Sequence, residues 1–523
     1  MFEHILLGIQ AVFSTEGGLS FLGISVPMTL MMIFFGFLLG IFVGATPGLA
    51  APMAMAISLP ILISVFGFSS EAFLPVLGFL IGIMKGGTVG GAVPAILFNT
   101  PGTPDAFMTT LDGYPMAQKG QAKRALKIAH ISSVTGDTFS DIVLVVCAPF
   151  LAVLVERYLD LPEKTALLLL SLAFIAAVIG RSVGKGLISM GLGVLAAMVA
   201  TGEDFYPRLS LGQPGLSDGI PIAAAVLGVL IVGEVFKGLE DISREGPSVR
   251  PSLALSGARA PGLWADLPRL LPYIGRSAVI GTAIGALPGI GSTLAATLGY
   301  TSGQRRHAAR KSAEDPAFGE GAPEGIAATE AANSSVSGAN LIPVLSLGIP
   351  GNAAAVFLIL AMESIAGFNP GPTVFRVPQD GINPELVMAF GIFTAMFVAN
   401  ALNWTIGGAF MRVVGVMARI PKQHLLPVVL LLTLTAIYVQ ETSFAAIWIT
   451  LGFGALGYAM RRIEMSPLPF VIAFILGGNL EQTARQAFSA TGADPFFLFS
   501  SPTSIAFIAL AVFVVARNSW KRP

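Results

Sequence analysis

The chain has 523 residues, 54% of them hydrophobic and 11% charged, with a mean hydropathy of +0.78. That composition lies far from the roughly 25% charged residues of a soluble domain and reads as an integral membrane protein. Its 30 basic and 30 acidic side chains cancel, and the basic ones cluster between apolar runs, so charge reports topology and no nucleic-acid surface is implied.

The N-terminal segment, residues 1–19, carries an acid and a histidine where a signal peptide would be basic, so no cleaved leader is expected. A bilayer core about 30 Å thick needs roughly 20 residues of helix. Suitable runs extend from Phe21 to Val43, Ile128 to Val155, Ala166 to Ile179, Leu187 to Ala200 and Ile220 to Phe236. Further runs extend from Leu386 to Met411, Leu425 to Val439, Phe444 to Tyr458 and Ile505 to Val515. Others look interrupted. Pro47, Pro52 and Pro60 are expected to cut the run after Val43, and Gly86, Gly87, Gly90, Gly91 and Pro94 the next, with comparable breaks after Gly285 and Leu341. The expectation is an all-α membrane protein of about a dozen crossings with broken or re-entrant helices in two regions. Cys147, the single cysteine, lies in an apolar run and reads as packing, which excludes a disulfide framework within the chain.

Basic clusters orient the chain. Loops at Lys119, Lys123, Arg124 and Lys127, at Arg244, Arg250, Arg259 and Arg269, at Arg305, Arg306, Arg310 and Lys311, and at Arg461 and Arg462 are assigned to the cytoplasm. Lys521 and Arg522 put the C-terminus inside; the loops Glu203 to Asp218 and Asn369 to Glu385, and the N-terminus, are assigned outside.

The two interrupted regions resemble each other. GATPGL (Gly44, Thr46, Pro47, Gly48) recurs as GALPGI (Gly285, Pro288, Gly289), and PAILFNTPG from Pro94 recurs as PVLSLGIPG from Pro343, proline for proline. The chain is therefore read as two repeats, 20–236 and 269–523, joined by a cytoplasmic linker at 237–268. Basic loops fall at non-matching places in the two halves, which reads as inverted topology. Inverted repeats with discontinuous helices imply a secondary transporter with its site near the bilayer midplane. The broken ends free backbone N–H groups for an anion and carbonyls for a cation. Asn99, Thr100, Thr103, Ser346 and Asn352 add neutral donors and acceptors there, with Pro101, Gly102, Gly348, Pro350 and Gly351 shaping the substrate-binding turns. The ordinary alternative is that Gly and Pro only permit close helix packing.

Ionisable residues inside such segments are costly unless solvated or paired. Asp137 and Asp141, one helical turn apart, can carry a coupling cation or proton, or be hydrated at the cytoplasmic end of their helix. Lys85 can balance substrate charge or snorkel to an interface. Glu330, with Asn333 beside it, can hold a cation or cap a half-helix; Glu363 reads as an outer-surface or interhelical group. No GxxxxGK[ST] or HExxH motif is present and GYTSGQ lacks the GxSxG elbow of a hydrolase, so ATP hydrolysis and a zinc protease are not supported, and an intramembrane enzyme remains a remote alternative.

GALPGIGSTLAATLGY, EGIAATEAANSSVSGANLIPVLSLGIPG and AILFNTPGTPDAFMTTLDGYPMAQKGQAKRAL closely resemble the signature stretches of the large membrane subunit of tripartite tricarboxylate transporters, over nearly the whole chain. The resemblance implies a multi-pass permease of the bacterial inner membrane, importing an organic carboxylate by alternating access with a coupling Na⁺ or H⁺ and no other cofactor. It also implies two partners, a small membrane subunit of about four helices and a periplasmic solute-binding protein. A stand-alone cation-coupled carboxylate symporter is the alternative within transport. The chain departs from the family's usual Tyr-Gly-Gly-Ser at Val89-Gly90-Gly91-Ala92, which removes two hydroxyls beside the expected site. It also has Asn340 where Gly is common, and Thr329-Glu330-Ala331-Ala332-Asn333-Ser334 in place of Pro-Glu-Ala-Ala-Asn-Asn.

Overall fold

The computed structural model describes residues 1–15, 18–21, 24–46, 49–179, 182–199, 202–203, 206–207, 219–245, 263–288, 291–309, 316–414 and 422–521. In chain order, α1 (Phe2–Phe13) precedes a short antiparallel ribbon, β1 (Leu19–Phe21) with β2 (Ile24–Val26), and then come α2 (Met28–Gly44), α3 (Ala51–Phe66) and α4 (Ser70–Phe98). A 3₁₀ turn at Pro104–Ala106 enters α5 (Phe107–Met116), followed by α6 (Ala122–Tyr158), α7 (Leu161–Val178) and α8 (Val183–Ala197). After a second minimal strand pair, β3 (Gly202–Glu203) with β4 (Tyr206–Pro207), α9 (Ile222–Leu227) runs through a π-turn into α10 (Gly233–Glu245). The second half holds α11 (Leu263–Gly285), α12 (Gly291–Ala308), α13 (Pro323–Ala339), α14 (Leu341–Leu347), α15 (Ala353–Ser364), α16 (Pro384–Leu402) and α17 (Gly408–Val414). It closes with α18 (Lys422–Glu441), α19 (Phe444–Arg462), α20 (Leu468–Ala490) and α21 (Pro502–Lys521).

Among the described residues, eight helices are long and apolar enough to cross a membrane, and α1, α2, α3, α8 and α15 are shorter apolar helices. The all-α membrane class follows directly from these lengths.

The chain divides into two compact units, each drawing on both halves: residues 1–152 with 247–424, and residues 153–246 with 425–523. In the second unit, α20 packs on α7 and α8, α21 on α7, and α19 along the π-turn at Gly228–Val232. Arg461 donates from its guanidinium to the Val229 and Leu230 carbonyls at 2.7 and 2.8 Å, supplying partners to backbone groups at that turn.

The first unit is organised by two close-packed helix pairs. α2 lies along α4 so tightly that a Cβ on Gly40 would fall 2.4 Å from the Ile83 carbonyl oxygen, and one on Gly86 would fall 2.2 Å from that of Phe37. α11 lies along α13 in the same way: a Cβ on Gly281 would come within 2.2 Å of the Ala332 carbonyl oxygen. The two contacts are in matching register. Gly40 meets Ile83 and Gly44 meets Gly87, just as Gly281 meets Ala332 and Gly285 meets Val336. A joint apolar core, including Ile41, Val93, Ile96, Ile128, Leu270 and Ile326, holds the helices of this unit together.

Three sequence expectations are corrected. The run from Phe21 is not helical at its start, because the ribbon occupies it and Pro27 caps α2. Gly86, Gly87, Gly90, Gly91 and Pro94 do not interrupt α4, nor does Pro60 interrupt α3. The glycines of α4 serve backbone approach by α2, and prolines survive in apolar helices where neighbours satisfy the freed carbonyls. Lys123, Arg124 and Lys127 lie in the first turns of α6 rather than in a loop, because the break between α5 and α6 is a kink confined to Gly120, whose φ is 77°.

Candidate functional site

The chain breaks where the repeated PxxxxxxPG motifs end. α4 stops at Phe98 with Asn99 in the left-handed conformation (φ 50°), and the Thr100 N–H donates to the Pro94 carbonyl at 3.2 Å. α14 stops at Leu347 with Gly348 left-handed (φ 70°), and the Ile349 N–H donates to the Pro343 carbonyl at 3.2 Å. A left-handed residue at the end of a helix is the usual physical stop, and Pro101 and Pro350 then prevent its continuation. Each following glycine sits where a side chain cannot: a Cβ on Gly102 would fall 2.2 Å from the Gly44 carbonyl oxygen, and one on Gly351 2.0 Å from Asn340 Oδ1.

The break segments also meet elements from the other half of the chain. Thr293, early in α12 after GALPGI, donates to Asp105 Oδ1 at 2.6 Å, while α3, which follows GATPGL, packs on α15. Of the expected site residues, Asn99 is exposed, Thr100 and Thr103 are half-buried, and the Thr100 hydroxyl donates to the Phe98 carbonyl at 3.1 Å. Asn352 caps α15 by accepting from the Ala355 N–H at 2.9 Å. Ser346 is fully buried, and its hydroxyl donates at 2.5 Å to the Ile342 carbonyl of its own helix. Thr46 likewise donates to the Phe42 carbonyl. Pro47, Gly48 and Gly289 lie outside the described residues, whereas Pro288 is half-buried just beyond α11.

The ionisable residues form two buried sites along one seam. α13 is buried over its whole length despite carrying Glu324, Glu330, Asn333, Ser334 and Ser337. Its run Glu330, Ala331, Ser337, Gly338 lies against Ser133, Gly136, Asp137, Asp141 of α6, both in ascending order, so the two helices run parallel. At one end Glu330, fully buried, accepts from Thr109 of α5 and from Ser133 Oγ at 2.8 Å. At the other end Lys85 of α4, also fully buried, donates to Asp137 Oδ1 at 2.6 Å and to both Asp141 oxygens at 2.8 and 2.7 Å. Ser337 donates to Asp137, and Asn400 Nδ2 of α16 donates to Asp141 Oδ2 at 2.7 Å. Between the two sites on α13, Asn333 Oδ1 and Ser334 Oγ are buried without a hydrogen-bond partner.

Lys85 therefore neither snorkels nor stands alone, and Asp137 and Asp141 are not hydrated at a helix end. Sequence reading missed their union, and it missed Asn400, Ser337, Ser133 and Thr109 altogether. The available signal was the four-residue spacing of Ser133, Asp137 and Asp141, which puts all three on one face of α6. Asp112 was also missed. Its Oδ1 accepts the Gly319, Gly321 and Ala322 N–H groups at 2.9, 3.0 and 2.8 Å, anchoring the entry to α13. Glu363 is half-buried in the last turn of α15. A separate cavity of about 450 Å³, lined by Lys119, Gln121, Arg124, Arg269 and Glu320 among others, has its cations already engaged. Arg124 binds Asp266, Arg269 binds Glu324, and Lys119 binds the Glu320 carbonyl.

Long apolar helices, matched helix breaks and buried charges inside candidate spans define a multi-pass, all-helical membrane protein of transporter type. The chain belongs to the tripartite tricarboxylate transporter TctA family, whose profile matches residues 30–472. That family comprises transporters rather than enzymes and supplies the large membrane component of such systems. The chain is 30% identical over 502 residues to an Agrobacterium vitis protein described as an uncharacterized 52.8 kDa protein in the TAR-I ttuC' 3'region, covering 94% of this chain and 93% of that protein. It is 28% identical over 239 residues to an uncharacterized protein in the TAR-II ttuC' 3'region of the same organism, covering 45% of this chain and 92% of that protein. No solved structure matches the chain.

Proposed function

We propose that this protein is the permease subunit of a binding-protein-dependent secondary transporter of the bacterial inner membrane. It imports an organic carboxylate together with a cation by alternating access, and works with a small membrane subunit and a periplasmic solute-binding protein. The observation that carries this reading is the pair of helix breaks at Asn99–Thr103 and Gly348–Asn352, closed by equivalent backbone hydrogen bonds. Such breaks inside membrane segments leave backbone dipoles free for a ligand. α15 begins directly after the second break, and its N-terminus favours an anion. Asn99 and the amide nitrogen of Asn352 are the neutral donors offered to a carboxylate. Ser346 contributes shape, since its proton is held by Ile342. The opposite loop charges of the two repeats support inverted topology, and the contacts of Thr293 with Asp105 and of α3 with α15 support a pathway built from both repeats.

The test is uptake of labelled di-, tri- and aromatic carboxylates into spheroplasts of the native host, with a matched strain lacking this gene. Gene-dependent uptake only when periplasmic extract is restored supports the tripartite reading. Uptake without extract replaces it with a stand-alone symporter, and no gene-dependent uptake of any compound in the panel counts against carboxylate import.

A further inference from the structure

The Lys85 cluster holds one ammonium and two carboxylates, all fully or almost fully buried. Each of the three residues lies within a candidate span. One carboxylate charge is balanced by Lys85 and the other by nothing except the Ser337 hydroxyl and the Asn400 amide. A buried excess charge of this kind is costly unless the site takes up a cation. A metal ion is poorly suited to supply it, because Lys85 Nζ already occupies the point 2.6–2.8 Å from three carboxylate oxygens where such an ion would sit. A second observation identifies the cation. Asn400 is 2% exposed and gives its Nδ2 to Asp141 Oδ2, yet its Oδ1 has no partner. An acceptor left over beside a carboxylate is what a protonated carboxyl would use: turned over, the amide accepts an Asp141 O–H through Oδ1.

We propose that Asp141 is the coupling-proton site of this transporter, with Lys85 as a built-in counter-ion that excludes Na⁺ and Asn400 as the group that accommodates both protonation states. The inference rests on the transport reading above and names its coupling ion. The step is a simple proton transfer. Water on one side of the membrane supplies H⁺ to Asp141 Oδ2, Lys85 keeps Asp137 Oδ1 and Asp141 Oδ1, the Asn400 amide turns over, and the cluster passes from one net negative charge to neutral. Release to the other side reverses each change. Among the described residues, the charged and titratable groups facing Asp141 from the packed elements are Lys85 on α4 and Asp137 on its own helix, while α13 presents Gly338 to Asp141 and Ser337 to Asp137, and α16 presents Asn400. Glu330 lies farther along the α13 seam, and His130 on α6 is held by the Asn403 carbonyl at 2.9 Å.

The test is infrared difference spectroscopy of the purified full chain, titrated with acid in choline chloride and again in sodium chloride. The expected result is a carboxylic C=O band that appears as pH falls, accompanied by an amide change, unaltered by sodium and lost in Asp141→Asn. That variant leaves Lys85 paired one to one with Asp137 and is expected to fold. Should it not, wild-type protein with side-chain ¹³C-labelled aspartate assigns the band to an aspartate through its isotope shift, and Asn400→Ala, which removes a partner of Asp141 and not of Asp137, must move that band and remove the amide change. A band that survives Asp141→Asn, shows no isotope shift or is unmoved by Asn400→Ala, a band abolished by sodium, or no titrating band overturns the proposal. Because the spectrum needs no substrate, gene-dependent uptake without the band sinks the proton site alone. The band with no uptake upholds the protonation site and counts against carboxylate import.

Discussion

The two helix pairs that frame the first unit, α2 with α4 and α11 with α13, share a backbone and differ in chemistry. Glycine contacts fall in the same register in both, and α4 and α14, the short helix after α13, each end in a left-handed cap with Pro-Gly beyond it. Yet α4 is a continuous apolar helix carrying one cation, Lys85, while its counterpart is divided at Asn340 into α13 and α14 and carries Glu330, Asn333, Ser334 and Ser337. The position matching Lys85 in the second pair is Ser334. A duplicated scaffold thus holds a cation in one half and acceptors in the other, and α6 lies where Asp137 and Asp141 meet Lys85 and Asp137 also meets Ser337.

The scaffold is broken most severely at its glycines. Gly40→Leu and Gly281→Leu each force a side chain into a neighbouring backbone, and both are expected to lower the yield of monodisperse protein to near zero, well beyond the ~1–3 kcal/mol of ordinary overpacking. Size-exclusion profiles after extraction check this; if one half tolerates the change, the two contacts are not equivalent.

Removing the cation should be nearly as damaging. Lys85→Met strands two carboxylates and is expected to cost about 3–5 kcal/mol, whereas Asp141→Asn, which leaves a balanced pair, should cost no more than about 1 kcal/mol. Thermal unfolding of the two variants measures the asymmetry, and Lys85→Met combined with Asp137→Asn and Asp141→Asn should recover most of the loss.

Glu330→Gln tests the acceptor half. It keeps the shape and one acceptor for Thr109 or Ser133, so the unfolding temperature should move little while uptake falls at least about tenfold, the equivalent of roughly 1.4 kcal/mol in the barrier. Unchanged uptake would assign Glu330 to packing.

The smallest effect separates cap from donor. Asn99→Gly preserves the left-handed turn and should leave stability within about 1 kcal/mol. Gly348→Ala strains its own turn by about 1–2 kcal/mol. Uptake should nevertheless fall in Asn99→Gly, and in Asn352→Ala, through loss of a neutral donor. Wild-type uptake in both would remove these amides from the pathway.

The breaks were legible because proline, glycine and asparagine act on their own backbone. PAILFNTPG and PVLSLGIPG end helices at matching residues, as their spelling suggests. The glycines of α4 misled for the same reason: read locally they are helix breakers, but packed against α2 they are contact surface. For Ser346, expected among the neutral donors and acceptors, periodicity does not carry one detail, that its hydroxyl bonds its own helix.

By itself the sequence determined the membrane class, the two helix stops at Asn99 and Gly348 and the recurrence of their motifs, because hydropathy, left-handed caps and proline stops depend on residues close in the chain. Only the tertiary structure decided that Lys85 joins Asp137, Asp141, Ser337 and Asn400, and that Glu330 meets Thr109 and Ser133. Those unions depend on how each helix is rotated and how far it slides against its neighbours. That geometry is set by close glycine contacts between elements far apart in sequence.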